Sequence, residues 1–475
     1  MTATPVALSP KPFRPSRSRA VPERPELLAL DAGEQYRFGF SMDACIGCHS
    51  CEVACGEQNG LPPEVTWRRV GEIEGLDDHA TTRRFQISMS CNHCIEPACL
   101  EGCPTNAYVK LPNGVVAHHA DDCIGCQYCT WNCPYSVPVF QPDRRIVTKC
   151  DMCQPRLAEG LAPACVDACP THAITIEKVN VAAWRDDHTG ANAPHLPDAG
   201  ITLSTTRIEL PRGVPAETLA ASDWNLRPEH AHWPLVWLTL VSQLAVGLSI
   251  VAAGGSGTGL RVAAAATALA GLVGAVGHLG RPVAAWKALR NLRRSWLSRE
   301  VAALSAHAAV AALAVLVPGA AVPAAVAGLV GVYFSARLYV VPGRPAWNTP
   351  LTIVRFNATA VALGFAAAGH GAIAAAGLAV ALTATSANWR RLRRVADRAW
   401  RGAVVLETSH FRTATAARWI VAIAALATGL LGSPAPLVLA LAGFSELVGR
   451  WLFFVTVVPL NMPGSFWRGA AGSNR

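Results

Sequence analysis

Sixteen cysteines lie between Cys45 and Cys169, and none lies elsewhere in the 475-residue chain. They form four groups of four: Cys45, Cys48, Cys51 and Cys55; Cys91, Cys94, Cys99 and Cys103; Cys123, Cys126, Cys129 and Cys133; Cys150, Cys153, Cys165 and Cys169. The first and third groups read C-x2-C-x2-C-x3-C. Pro104, Pro134 and Pro170 directly follow the last cysteine of their groups, whereas Gly56 follows Cys55. Disulfides, zinc or iron–sulfur clusters could use such an array. A disulfide framework belongs to a secreted chain. The Pro- and Arg-rich N-terminus has no apolar core and reads as neither a signal peptide nor a twin-arginine leader. Zinc sites come as two separated C-x2-C pairs, not as runs of three plus one.

Runs of three plus one suit iron–sulfur cubes. A short loop sets three sulfurs around three iron corners. The fourth corner faces away, so the fourth cysteine ligates a different cube. Sixteen thiols suffice for four [4Fe-4S] clusters with none left over. His93, between Cys91 and Cys94, is read as a shield or hydrogen-bonding group, because the thiolates already suffice.

The cysteines must be positioned by a polar first half, while the second half is rich in Ala, Val, Leu and Gly. We read residues 1–35 as a disordered tail and 36–180 as the cluster domain, with short strands at 115–122 and 173–179. Residues 181–233 read as an extended Pro-, Gly- and Asp-rich connector lying along the clusters or a partner, 234–460 as a membrane domain and 461–475 as a C-terminal tail. Eight apolar stretches, near 234–253, 259–278, 301–318, 322–341, 352–369, 371–388, 414–432 and 436–458, approach the ~20 residues needed to span a bilayer. The fold class expected is α+β ferredoxin-like, followed by an all-α polytopic bundle.

The net charge of +9 is not read as a nucleic-acid signal, because much of the Arg excess sits in short loops between apolar stretches. Arg281, Lys287, Arg290, Arg293, Arg294, Arg299, Arg344, Arg390, Arg391, Arg393, Arg394, Arg398 and Arg401 fall on one side, and Arg261 and His370 on the other. With eight helices the cluster domain shares the Arg-rich side, which the positive-inside rule makes cytoplasmic, at the inner membrane.

Residues 35–210 resemble the four-cluster iron–sulfur subunits of the DMSO-reductase superfamily, which exchange electrons with a molybdenum subunit. The resemblance implies four shared ligand sets: Cys45, Cys48 and Cys51 with Cys169; Cys150, Cys153 and Cys165 with Cys55; Cys91, Cys94 and Cys99 with Cys133; Cys123, Cys126 and Cys129 with Cys103. Respiratory nitrate reductases carry a tryptophan where this chain has Cys126, so the chain is similar to the DMSO-reductase type. The resemblance also places the group-three cluster nearest the membrane.

The stretches WPLVWLTLVSQLAVG (233–247), GHLGRPVAAWKALRNLRRSWLSREV (277–301) and ARLYVVPGRPAWNTPLT (336–352) resemble the membrane anchor subunit of the same enzymes. That resemblance puts His278 at a quinone site, with Glu300 close by. Read alone, His278 could be a helix-end histidine meeting headgroups, and Glu300 an acid at a helix N-terminus. Quinol oxidation releases two protons and two electrons, so its site needs a titratable group and a nearby electron acceptor. Glu446 and Arg450 are expected to pair along one helix. Only His278 and His307 could serve haem, which this kind of anchor usually lacks.

The expected function is an electron-transfer and membrane-anchor subunit, itself without a substrate site. It passes electrons between quinone or quinol and a separate molybdopterin catalytic subunit. The order expected is quinone, then groups three, two, four and one. A cytoplasm-facing cluster domain favours a sulfite dehydrogenase-like over a DMSO reductase-like partner. The alternative is a membrane redox scaffold or ion-translocating polysulfide-reductase-like module.

Overall fold

The computed structural model describes residues 27, 29–77, 79–221, 226–255 and 257–460. The tail expected over 461–475, and that over 1–35 as far as residue 26, lie outside the described residues.

The first half is built from ten strands: β1 (Glu34–Ser41), β2 (Arg69–Leu76), β3 (Thr82–Met89), β4 (Tyr108–Lys110), β5 (Val116–His118), β6 (Val139–Gln141), β7 (Ile146–Thr148), β8 (Ile174–Asn180), β9 (Arg207–Glu209) and β10 (Ala220–Ala221). They make two three-stranded sheets, β8-β1-β9 and β10-β2-β3, and two hairpin ribbons, β4-β5 and β6-β7. In β1 the residues Tyr36, Phe38 and Phe40 alternate onto one buried face, as the strand period of two requires. They join Ile73, Ile87 and Ile174 in one apolar core. β1 runs antiparallel to β8, from Glu34↔Asn180 to Phe40↔Ile174, so the segment after the last cysteine closes onto the segment before the first.

Residues 181–221, expected as an extended connector lying along the clusters or a partner, fold onto the cluster domain with a helix and two strands of their own. They open with the helix Val181–Asp186, capped by the Asn180 side chain. β9 then pairs parallel with β1, and β10 pairs with β2. Ile208, Val214 and Leu219 enter the core of the cluster domain. Burying these side chains outweighs the extended tendency of the surrounding Pro and Gly.

Among the described residues the second half contains eight helices long and apolar enough to cross a membrane: Trp233–Ala253, Thr258–Gly277, Trp296–Leu316, Pro318–Tyr339, Pro350–Ala367, Gly371–Arg394, Arg412–Leu430 and Ala435–Val455. A 3₁₀ helix, Pro282–Leu289, links the second and third. Small residues let the backbones approach. A Cβ on Gly364 of the fifth helix would come within 2.3 Å of Gly247 of the first, so these two helices cross backbone to backbone.

Candidate electron-transfer and quinone site

Each cysteine group combines a tight loop with a short helix. The helices Ser50–Asn59, Ala98–Gly102, Tyr128–Asn132 and Ala164–Asp167 carry the third cysteine of their groups, Cys51, Cys99, Cys129 and Cys165. The fourth cysteine follows four residues later, within the helix for Cys55 and just past the helix end for Cys103, Cys133 and Cys169. The loops of groups one and three repeat one backbone pattern. Gly47 and His49 have φ of 66° and 59°; Gly125 and Gln127 have φ of 67° and 59°. Left-handed residues on either side of the second cysteine fold the loop into a cradle.

The structure gathers the thiols across groups. Cys45 lies in electrostatic range of Cys48, Cys51 and Cys169. Cys55 lies in range of Cys153 and Cys165, and Cys150 in range of both Cys55 and Cys165. Cys91, Cys94, Cys99 and Cys133 line one small cavity together. Cys129 lies in range of Cys103, Cys123 and Cys126. Donors are aimed at the sulfurs. The Gly125 N–H donates to Cys123 Sγ (3.4 Å), the Met152 N–H to Cys150 Sγ (3.3 Å), and the Ala107 N–H to Cys103 Sγ (3.3 Å). The Thr202 hydroxyl, from the folded-back segment, reaches Cys94 Sγ at 3.2 Å.

Two cations that sequence reasoning missed sit between these sets. Arg68 is 2% exposed and donates to the hydroxyls of Ser88 (3.1 Å) and Ser90 (2.9 Å). Burial opposes its charge, and the neighbouring Cys165, Cys51, Cys150 and Cys55 hold it charged. Lys149 is buried beside Cys91, Cys99 and Cys150, and these thiols act on it in the same sense. Buried cations facing clustered sulfur are what an anionic iron–sulfur cluster requires around it, so the residues present fit such a group. Lys149 adjoins Cys150 in sequence, but nothing local marks Arg68. His93 is fully buried, accepts from the Val116 N–H at Nδ1 (3.0 Å) and lies 3.9 Å from Cys150 Sγ through Nε2. Burial, then Lys149, Lys110 and Arg68, hold its imidazole neutral.

The group-three loop and the end of group two meet the membrane half. The Arg281 N–H donates to the Ile124 carbonyl (3.0 Å), and the Arg281 side chain to the Ala120 carbonyl (2.9 Å). Asn291 and Ser295 donate to the carbonyls of Cys103 (2.8 Å) and Gly102 (2.7 Å). Lys287 and Arg290 pair with Asp122, and Arg294 with Glu101. Four basic residues counted in the sequence as topology signals therefore also dock the two halves. Gly125 and Gly280 meet at the contact, and a Cβ on Gly125 would lie 2.4 Å from the Arg145 carbonyl oxygen and 2.9 Å from Gly280 Cα.

Beneath this contact is a cavity of ≈ 310 Å³. His278, which caps the second membrane helix, and Glu300, in the second turn of the third, both line it, as do Cys126, Tyr128, Trp131 and Tyr339. His278 Nε2 lies 2.8 Å from the Cys126 carbonyl oxygen. A carbonyl only accepts, so Nε2 carries the proton and Nδ1 of the neutral ring is the acceptor. Burial keeps this imidazole below the usual histidine range. Glu300 Oε1 is buried without a hydrogen-bond donor among the described residues. His232, at the start of the first membrane helix, stacks edge-on against both Trp131 (5.1 Å) and His278 (6.3 Å). His307 lies elsewhere, with Nδ1 2.9 Å from the Ala324 carbonyl oxygen.

The pairing expected between Glu446 and Arg450 is not the one formed. Glu446 accepts from the Thr359 hydroxyl (2.6 Å) and lies 3.9 Å from Arg418, while Arg450 donates to Gln243 (2.9 Å). Neighbouring helices offer better-placed partners than the same helix one turn away.

Residues 83–179 match the 4Fe-4S dicluster domain family, and residues 228–387 match the DMSO reductase anchor subunit (DmsC) family. The B subunit of the anaerobic dimethyl sulfoxide reductase of Escherichia coli (strain K12) is 39% identical over 175 residues, covering 35% of this chain and 85% of that protein. The corresponding B subunit from Haemophilus influenzae is 38% identical over 177 residues, covering 36% and 86%. YnfG of Escherichia coli (strain K12), a probable subunit of the same enzyme type, is 39% identical over 175 residues, again covering 35% and 85%. The first half carries an iron–sulfur electron-transfer domain, and the second is a multi-pass membrane anchor. The chain belongs to the family of anaerobic dimethyl sulfoxide reductase iron–sulfur subunits, joined in one polypeptide to a DMSO reductase anchor domain.

Proposed function

We propose that this chain passes electrons between membrane quinol and a separate molybdopterin catalytic subunit. The observation that carries the reading is the shared wall of the ≈ 310 Å³ cavity, where His278, Glu300 and the group-three residue Cys126 meet. The four gathered cysteine sets are the proposed ligands. Bound there, four [4Fe-4S] clusters supply one-electron carriers, which let a two-electron quinol meet a distant acceptor. His278 Nδ1 and Glu300 offer acceptors for the two quinol hydroxyls. Tyr339, Trp131 and Leu304 close the cavity to water. Arg68 and Lys149 hold positive charge beside the proposed ligands. The exposed Cys48, with Ile46 66% and Val53 63% exposed beside it, marks the end of the cysteine series where the catalytic subunit docks.

The Arg-rich loops share the side of the cluster domain, which supports an inner-membrane protein with that domain in the cytoplasm. That orientation favours a sulfite dehydrogenase-like over a DMSO reductase-like partner. A second reading, an ion-translocating scaffold, draws on Glu407, a buried membrane-half acid in addition to Glu446.

The test is low-temperature EPR on the anaerobically purified protein, with and without quinol. Reducible [4Fe-4S] signals that appear with quinol, and are lost in His278→Ala with cluster content unchanged, support the proposal. Clusters that quinol never reduces overturn the quinone assignment.

A further inference from the structure

The cavity has two kinds of wall. Its inner wall is closed by His278, Glu300, Trp131 and Tyr339. Its outer wall includes Val276 of the second membrane helix and Trp286 and Leu289 of the 3₁₀ helix, opposite Leu297 of the third. Val276, Trp286 and Leu289 also face outward, being 43, 62 and 46% exposed. They belong at once to the cavity and to the surface. The surface around them is apolar: Val273 is 73% exposed one turn before Val276, and Val283 is 96% exposed on the 3₁₀ helix. Both flanking helices are long and apolar enough to cross the membrane, so this surface meets hydrocarbon. Trp286 is held from the other direction. The Arg290 guanidinium sits 4.9 Å from its ring centre and pairs with Asp122 at 2.8 Å, next to Cys123.

We infer that quinol reaches its cavity sideways from the bilayer, between the second and third membrane helices, and that Trp286 is the threshold over which its polyprenyl tail lies. This rests on the quinone reading above. A quinol held in the membrane by its tail does not approach through water, and tail and headgroup must be accommodated together. The described wall divides accordingly, with acceptors inside and apolar side chains at the mouth. The tail therefore stays in contact with Val276, Trp286 and Leu289 while the ring is held at His278 and Glu300. Trp286 positions substrate and does not touch the reacting hydroxyls.

The experiment compares menaquinol-4 with tail-less menadiol as reductants of the anaerobically purified, cluster-loaded full-length protein, following iron–sulfur absorbance. The variants are Val276→Trp, which fills the place of the tail at the mouth, and Trp286→Ala, which removes the threshold. Retained iron–sulfur EPR signals show that each variant is folded. We expect Val276→Trp to raise the half-saturating concentration of menaquinol-4 by about tenfold or more, and that of menadiol by less than about twofold. Trp286→Ala should act in the same tail-dependent sense, more weakly. Equal effects on both quinols, or none on either, overturn the lateral entry. If the unaltered protein is reduced by neither quinol, the quinone reading fails, and the portal with it.

Discussion

Arg68 and Arg450 are both buried guanidinium groups, one in each half of the molecule. Around Arg68 there are serine hydroxyls and the sulfurs of Cys51, Cys55, Cys150 and Cys165, and no carboxylate pairs with it among the described residues. Arg450 donates to the Gln243 side chain at 2.9 Å, and the carboxylate nearby, Glu446, lies 3.9 Å from Arg418. The cluster half leaves its countercharge to what its cysteines hold. The membrane half sets carboxylates of its own, Glu446 and Glu407, among Arg355, Arg418 and Arg450. Both solutions avoid an isolated buried charge, which costs several kcal/mol. They differ in what the fold depends on.

The comparison breaks most sharply on removal of iron. Anaerobic chelation should cost the cluster half most of its stability, on the order of 5–15 kcal/mol for a domain of this kind. Protease sites between residues 45 and 170 should open, while the far-UV dichroism of the membrane helices persists. Equal loss of both halves would show that the first half supports the second. A smaller effect is expected in the membrane half. Glu446→Leu leaves Arg418 and Arg355 buried with less countercharge and should cost about 3–5 kcal/mol, read as a lower unfolding midpoint in detergent. Adding Arg418→Leu should restore part of that loss, and absence of rescue would separate the two residues. The smallest effect is expected from Arg68→Gln. Its two hydroxyl hydrogen bonds contribute about 0.5–1.5 kcal/mol each, and an amide can replace part of them. Its signature should be a lowered reduction potential for a cluster of groups one and four in a potentiometric EPR titration. An unchanged potential would make Arg68 a packing residue only.

Much of the fold was legible in the residues. The short strands at 115–122 and 173–179, where β5 and β8 lie, and eight apolar stretches near membrane-spanning length are local patterns, and secondary structure and insertion follow from local patterns. The cysteine spacings were equally legible, because the reach of a short loop decides which three sulfurs can converge. The helix and strand pairings of segment 181–221 were not legible. Its Pro and Gly advertise a connector, while Ile208 and Leu219 are scattered apolar residues whose value depends on a core built elsewhere. The Glu446 pairing was misjudged for a related reason: i, i+4 neighbours are visible in a sequence, and Arg418 on another helix is not.

The sequence by itself determined the chemistry available: sixteen thiols in four short-range groups, an apolar half with its basic loops on one side, and a histidine at the end of the second membrane stretch. Only the tertiary structure decided how they meet. It set the group-three loop on the loop following that helix, brought His278 and Glu300 to one cavity beside Cys126, and placed Arg68 and Lys149 between cysteine sets. The physical reason is range. Loop reach, helix period and hydropathy act over a few residues, whereas charge balance and shared cavities act through space, between residues more than a hundred positions apart, such as Cys126 and His278.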